Sequence, residues 1–186
     1  IAHGNANRGL YCAQRIYDDL HHRAARTFNQ PLAWDLASNR AVGWGSDRHM
    51  SPPSIWHMLY AIEGFFLDMP EQRLWIRPNL PKGIPRLSAP LFTPSCLGWL
   101  DFEVDDGPPY RQRLRVAFDS PIRIKSMVLR IPSNVQDIQV DFVSPAGREL
   151  TDHVLGYDGD EHLVEIQPLQ PVLINGPMTL VLHQRP

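Results

Sequence analysis

The sequence predicts an α+β protein in two parts, a helical part followed by an antiparallel, β-sandwich-like domain. Two observations support this division. Apolar residues recur every three or four positions up to about residue 70 and every second position from about residue 73, which are the periods of a helix and of a half-buried strand. The chain also contains 18 prolines, mostly after residue 51, and proline is tolerated in loops and at strand edges but not inside helices.

Two amphipathic stretches predict helices. Residues 10–28 carry one apolar face, and Pro31 ends any continuation. A second helix is predicted from Ser51, a suitable N-cap, and Pro52, which suits the first turn, to about residue 67. Its apolar face is wide enough to require more packing partners than one other helix provides. The apolar positions are Leu10, Ala13, Ile16, Tyr17, Leu20, Ala24 and Ala25 in the first helix and Ile55, Trp56, Leu59, Ile62, Phe65 and Phe66 in the second.

Short alternating segments separated by Gly, Pro and Asp turns predict the strands of the second part. The absence of helical patterns between them disfavours a parallel sheet. The predicted strands lie within residues 73–81, 98–104, 111–119, 120–132, 135–145, 162–168 and 178–184.

Composition excludes several classes of function. A net charge of −2 argues against a nucleic-acid-binding surface, and no apolar run is long enough to cross a bilayer. Cys12 and Cys96 are far apart and are interpreted as two buried, reduced thiols, which favours a cytoplasmic location. The sequence requires no cofactor. A first residue Ile1 predicts a fragment, a processed subunit or the tail of a longer protein.

Several clusters could carry chemistry, and each has a simpler explanation. Asp18 with His21 and His22 has a spacing compatible with a metal, but a third ligand is missing, so no metal site is predicted. Ser46, Asp47 and His49 are too close in sequence to form a hydrolytic triad. The β part contains a group of four carboxylates, and a solvent-facing strand edge explains this group better than glycoside hydrolysis does. They are Asp101, Glu103, Asp105 and Asp106.

Residues 40–50 predict a ligand-binding loop. Arg40 offers a planar fork of donors, and the glycines beyond it let the backbone approach a ligand. Trp34 and Trp44 are amphipathic aromatics that either stack on a sugar or fill the core, while Trp56 lies on the apolar helix. An ion pair is the structural alternative for Arg40. The candidate substrate-binding residues are Arg40, Trp34, Trp44, Arg48 and His49, and no residue is predicted to be catalytic.

Three segments in this order resemble the end of the catalytic domain of glycoside hydrolase family 116, the β-glucosidases and non-lysosomal glucosylceramidases. They are FNQPLAW (28–34), Arg40 and MSPPSIWHM (50–58). The family has F-x-x-P-E-A-W, an arginine, and M-R-P-L-S-I-W-x-M. Leu32 replaces the sugar-binding Glu, Arg40 matches the first arginine, and Ser51 replaces the second.

The resemblance covers about residues 10–70 and implies a domain organisation. Residues 1–72 would be the last helices of an (α/α)6-type barrel, 73–92 a strand and Pro-rich link, and 93–186 an antiparallel β domain. The resemblance also implies a retaining glycosidase whose nucleophile and acid/base belong to an upstream segment. The expected partners are therefore a carbohydrate substrate and the N-terminal remainder of the enzyme.

Two alternatives to this hypothesis stay open. The first is a non-catalytic module that binds carbohydrate or a partner through its β part. The second is an unrelated helical-barrel enzyme such as a lyase or phosphorylase, because a fold does not fix a function.

Overall fold

The computed structural model describes residues 5–18, 22, 34–35, 37–38, 40–41, 52–105, 107–135, 137–143 and 153–185. The chain divides into two compact units, Ile1–Ile62 and Glu63–Pro186. This boundary precedes the predicted one at residue 72, because the strands between 65 and 92 pair within the sheets of the second unit. Neither helix in the described ranges is both long and apolar enough to cross a membrane.

The first unit contains helix α1 (Ala6–Asp18), the paired strands β1 (Trp34–Asp35) and β2 (Arg40–Ala41), and helix α2 (Pro52–Glu63), whose last residue belongs to the second unit. Helix α1 begins four residues before the predicted Leu10. Of the rest of that predicted helix, residues 19–28, only His22 is described. The two helices are short, and the barrel stays a prediction.

The Asp18 carboxylate is satisfied by its own helix. Gln14 Nε2 donates to Asp18 Oδ1 at 2.7 Å, and His22 Nε2 lies 4.0 Å from the same oxygen. Asp19 and His21 lie outside the described residues. No group of three or more His, Cys, Asp or Glu side chains in the described ranges has the geometry of a metal site.

Helix α2 ends at Glu63, so the prediction that Phe65 and Phe66 continue its apolar face is wrong. The reason is Gly64, whose φ of +58° is a left-handed conformation that glycine adopts without strain. A Cβ at this position would lie 1.9 Å from the Arg77 carbonyl oxygen. Phe65 and Phe66 therefore open a strand instead of another helical turn.

The second unit is built almost entirely from strands, which alternate buried and exposed residues as expected of sheets with one face in a core. The structure confirms the predicted antiparallel, β-sandwich-like character of this part. Its strands are β3 (Phe65–Asp68), β4 (Arg73–Ile76), β5 (Arg86–Phe92), β6 (Leu97–Asp105), β7 (Arg111–Phe118), β8 (Ile122–Ile124), β9 (Ser126–Arg130), β10 (Ile138–Val143), β11 (His153–Asp158), β12 (Leu163–Pro168), β13 (Val172–Ile174) and β14 (Met178–Gln184).

These strands form two five-stranded sheets and one two-stranded sheet. The first sheet has the order β10-β14-β7-β6-β5, the second β11-β12-β9-β4-β3, and β13 pairs with β8. All pairs are antiparallel except β4 with β9, which is parallel. The sequence disfavoured a parallel sheet, and in the described ranges both large sheets are antiparallel apart from this one pair. The long chain between β4 and β9 supplies the crossover that a parallel pair requires, and it does so with strands instead of a helix.

The core lies between the two large sheets. Leu100 and Leu114 of the first sheet and Leu74, Leu129 and Ile166 of the second are fully buried. The rings of Phe65 and Phe118, one from each sheet, have centroids 6.5 Å apart. Burying such side chains contributes about 1.5–3 kcal/mol each, so this unit carries a substantial core of its own.

The two cysteines have different environments. Cys96 is buried, with its Sγ 3.0 Å from Thr93 Oγ1, and both thiols are free. Cys12 is exposed on α1, so the prediction of two buried thiols is wrong for Cys12. Its position follows the spacing of α1, because Cys12 lies off the predicted apolar face.

Candidate functional site

The solvent-facing side of β5, β6 and β7 carries a continuous group of polar and charged side chains. Strand β7 alternates exposed and buried residues, because every second residue faces the core. The side chains on the opposite face all belong to one surface. Its polar and charged members, together with Trp99 of β6, are Arg86 and Ser88 on β5, Asp101, Glu103 and Asp105 on β6, and Arg111, Arg113 and Arg115 on β7.

The register places charges of opposite sign across this surface. Each carboxylate of β6 lies opposite an arginine of β7, and such cross-strand pairs stabilise a sheet by about 0.2–1 kcal/mol each. The pairs are Asp101 with Arg115, Glu103 with Arg113 and Asp105 with Arg111. Strand β5 completes the arrangement on the other side of β6, where Ser88 lies opposite Asp101 and Arg86 opposite Glu103.

Trp99 is the one large aromatic side chain in this polar row. Its indole N–H is shared between Ser88 Oγ and Asp101 Oδ1, each at 3.1 Å. The Ser88 hydroxyl also donates to Asp101 Oδ1 at 2.5 Å. The Trp99 side chain is nevertheless 47% exposed. The indole is therefore oriented by the protein while a large part of it stays available to a ligand.

Small neighbours keep the Trp99 ring accessible. Pro90 of β5 and Ala117 of β7 lie directly opposite Trp99 on its two sides. Trp75 on the second sheet provides a contrast, because the guanidinium carbons of Arg73 and Arg77 lie 5.8 and 4.8 Å from its ring centroid. The Trp75 ring is covered by protein cations, whereas the hydrogen bonds that hold Trp99 among the described residues are made at the N–H edge of its indole.

A shallow groove follows the polar surface from the Trp99 end towards Asp105. One hollow of about 400 Å³ is lined by Ser88, Asp101 and Arg115 among others. A second of about 430 Å³ reaches Asp105. Both are lined in part by the same three residues, Arg86, Glu103 and Arg113, so they form one elongated groove. Its size is within the range of small-molecule sites.

The groove contains one close ion pair among the described residues. Arg86 Nη2 lies 2.6 Å from Glu103 Oε1, and Arg86 Nε donates to the same oxygen at 2.8 Å. Asp101 Oδ1 is engaged by Ser88 and Trp99. The carboxylates here are thus committed to local partners on an open surface, which is a poor setting for a glycosidase acid.

The predicted location of these carboxylates is partly right. Asp101, Glu103 and Asp105 belong to the solvent-facing side, but β6 is an inner strand of its sheet instead of an edge. Asp106 lies outside the described residues. The hairpin between β6 and β7 is where the sequence predicts it.

The carboxyl group with the most perturbed ionisation lies elsewhere. Burial raises the pKa of Glu63 from its ordinary 4.5 to about 7. The residue is fully buried, and neither carboxylate oxygen has a hydrogen-bond partner in the described ranges. A raised pKa is a property of a general acid, but the Glu63 side chain is 0% exposed to solvent, so a substrate does not reach its carboxyl group in this structure.

The predicted substrate-binding residues fall in the first unit. Trp34 and Arg40 belong to β1 and β2, where Trp34 pairs with Ala41 and Asp35 with Arg40. The structure therefore places the backbones of these two candidates in one two-stranded sheet. Trp44, Arg48 and His49 lie outside the described residues.

Sequence reasoning missed Trp99 and its anchors. The signal was present in GWLDFEV, because Trp99 shares its register with Asp101 and Glu103 instead of with Leu100 and Phe102. A large aromatic in the polar register of a strand points out of the core. Ser88 gave no such signal, since its contacts with Trp99 and Asp101, eleven and thirteen positions away, depend on the pairing of β5 with β6.

Comparison of the chain with models of known protein families yields no match, and comparison with curated protein sequences yields none either.

Proposed function

We propose that this chain is the C-terminal portion of a glycoside hydrolase of the family 116 type. Its catalytic carboxylates belong to an upstream segment, and its Glu63–Pro186 unit is an accessory module that binds carbohydrate in the groove beside Trp99. One observation carries the proposal for the module. Trp99 presents an oriented, half-exposed indole that is bonded to the Ser88 hydroxyl and the Asp101 carboxylate, and the register places Arg115 on the neighbouring strand opposite Asp101.

This combination matches the chemistry of a sugar. One face of a pyranose is rich in C–H groups and packs on an aromatic ring, while its hydroxyls need donors and acceptors around the edge. Asp101 has a second carboxylate oxygen available to accept, and Arg115 on the neighbouring strand donates. The indole is already fixed by two acceptors, so little side-chain entropy is lost when a ligand binds.

The exposed apolar side chains of helix α1 support the proposal that an upstream portion of the enzyme packs against it. Tyr11, Ile16 and Tyr17 are large apolar side chains of this helix, and they are 65%, 55% and 52% exposed. Covering a large apolar side chain contributes about 1.5–3 kcal/mol. Upstream helices of a barrel would provide that cover, which makes the remainder of the enzyme the proposed partner of the first unit.

A partner-binding module is the second candidate, favoured by β11. This strand lies at the end of the second sheet, and its side chains Val154, Leu155 and Tyr157 are all exposed. An edge strand with apolar side chains can pair with a strand of another chain. The Trp99 groove has a polar lining suited to sugars, so the carbohydrate-binding function takes precedence.

The test measures glycan binding by the purified chain with isothermal titration calorimetry, after a screen of neutral and acidic oligosaccharides. Trp99→Ala is expected to weaken binding roughly 10–100-fold, the loss expected when a buried aromatic contact is removed. Tyr157→Ala, which removes an exposed aromatic from the second sheet, is the matched control and should bind as the wild-type chain does.

Hydrolysis provides the second arm of the test. The chain alone is expected to leave aryl β-glucosides intact, and a version extended to include the upstream segment is expected to cleave them. Turnover by the 186-residue chain would contradict the placement of the catalytic groups. Unchanged glycan binding by the Trp99→Ala variant would contradict the placement of the groove.

A further inference from the structure

The arginines of β7 form a row along one side of the groove. Arg111, Arg113 and Arg115 occupy alternate positions on the exposed face of the strand, so neighbouring side chains start about 7 Å apart. Each lies opposite a carboxylate of β6. If the only role of these arginines were cross-strand ion pairing, each guanidinium would lie within ion-pair distance of the carboxylate opposite it.

That pairing is not observed. In the described ranges, Arg113 and Arg115 make no ion pair or hydrogen bond with a carboxylate, because Glu103 is bound by Arg86 and Asp101 Oδ1 is bound by Ser88 and Trp99. Both arginines are exposed. Two guanidinium groups therefore face the groove with their donors available.

The balance of charge in the groove is positive. Three arginines and two carboxylates line the hollow next to Trp99, and the same is true of the adjoining hollow. The two carboxylates of the first hollow already accept hydrogen bonds. An anionic group that enters there meets uncommitted donors on β7, while Glu103 is paired with Arg86 and Asp101 accepts hydrogen bonds from Ser88 and Trp99.

Arg115 is also close to the aromatic ring. Trp99 lies opposite Ala117, so Arg115 is its diagonal neighbour, and diagonal neighbours in an antiparallel pair are about 7–8 Å apart. A hexuronate stacked on Trp99 carries its carboxylate at the edge of the sugar ring. The flexible side chain of Arg115 can reach that edge and bind the carboxylate through two parallel N–H donors.

We propose that the groove is selective for acidic saccharides, with a uronate ring stacked on Trp99 and its carboxylate bound by Arg115, with Arg113 as the second cationic donor. This inference rests on the proposed carbohydrate-binding function and adds the class of sugar. Arginine is suited to the role because its fork of donors matches the two oxygens of a carboxylate.

The experiment compares a galacturonic acid trisaccharide with its methyl ester, which has the same rings but no charge. Titration calorimetry is carried out near physiological ionic strength, which screens non-specific attraction between exposed charges. The acid is expected to bind at least roughly tenfold more tightly than the ester, since a charge-assisted hydrogen bond contributes about 1.5–3 kcal/mol. The double variant Arg113→Gln/Arg115→Gln is expected to lose this preference while its thermal unfolding stays unchanged.

Arg123→Gln is the matched control, because Arg123 is an exposed arginine on β8, outside both five-stranded sheets. This variant should keep the preference for the acid. A preference retained by the double variant, or lost in the Arg123 variant, would overturn the assignment to β7. Tighter binding of a sulfated dextran oligosaccharide than of the uronate would overturn the choice of carboxylate.

The outcomes separate the two proposals. Equal binding of the acid and the ester overturns the selectivity and leaves carbohydrate binding by Trp99 in place. Failure of every acidic and neutral oligosaccharide to bind overturns the carbohydrate-binding function itself.

Discussion

Replacing Glu63 with Gln is expected to stabilise the protein at high pH. Glu63 ends α2 with its carboxyl group fully buried and without a hydrogen-bond partner in the described ranges. Burial raises its pKa from 4.5 to about 7, so the folded state holds the proton more tightly than the unfolded chain does. Glutamine has nearly the same shape as the protonated acid and never ionises.

The size of the effect follows from the difference in pKa. A tenfold difference in acid dissociation corresponds to about 1.4 kcal/mol, so a rise from 4.5 to about 7 amounts to about 3 kcal/mol. Below pH 4.5 the carboxyl is protonated in both states and contributes no difference. As the pH rises through the interval between these two values, the unfolded chain loses the proton first and the free energy of unfolding falls. Above pH 7 the full cost is present.

Urea unfolding followed by circular dichroism at several pH values between 4.5 and 8 measures this difference. Glu63→Gln and the wild-type chain should unfold with similar free energies at pH 4.5, and the variant should be more stable by about 3 kcal/mol at pH 8. Glu71→Gln, which replaces an exposed glutamate, should change little at either pH. A variant that is equally stable or less stable at pH 8 would refute the reasoning, because Glu63 would then be ionised and stabilised in the folded state.

Two further predictions concern packing. Gly64→Ala is expected to destabilise the protein by more than Gly83→Ala in urea unfolding. Both glycines have a positive φ, but only at Gly64 would a Cβ lie against the Arg77 carbonyl. The Gly83 variant should lose about 1 kcal/mol, and equal losses of unfolding free energy at the two sites would contradict the proposed clash. Leu114→Ala is expected to cost about 3–5 kcal/mol, since Leu114 is fully buried between the sheets. Leu173→Ala, at a position 45% exposed, is its control, and a similar loss at both sites would contradict the location of the core.

Strand positions were predictable where the alternation was strong. The residues of β6, β7 and β14 alternate apolar and polar side chains, and each lies where the sequence predicts a strand. Strands β5 and β11 were missed for opposite reasons. Proline and serine interrupt the alternation of RLSAPLF in β5, and the exposed residues of β11 do not divide into a buried and an exposed set.

The candidate site was predictable only in part. The sequence indicated the carboxylates of β6 as candidates, but it did not indicate Trp99 at one end of the groove. A helix beyond Gly64 was predicted because Phe65 and Phe66 continue the spacing of α2, whereas the conformation of a single glycine ends the helix. Apolar spacing alone does not report such a backbone constraint.

The sequence by itself determined much of the local structure: most of the long alternating strands of the second unit, most of their turns, and which side of those strands is polar. These follow from interactions between residues two to four positions apart. Only the tertiary structure decided that β4 pairs in parallel with β9 and that Ser88 meets Trp99. Such contacts depend on which strands become neighbours, and that choice is made by the burial of all the apolar faces together, which no single segment specifies.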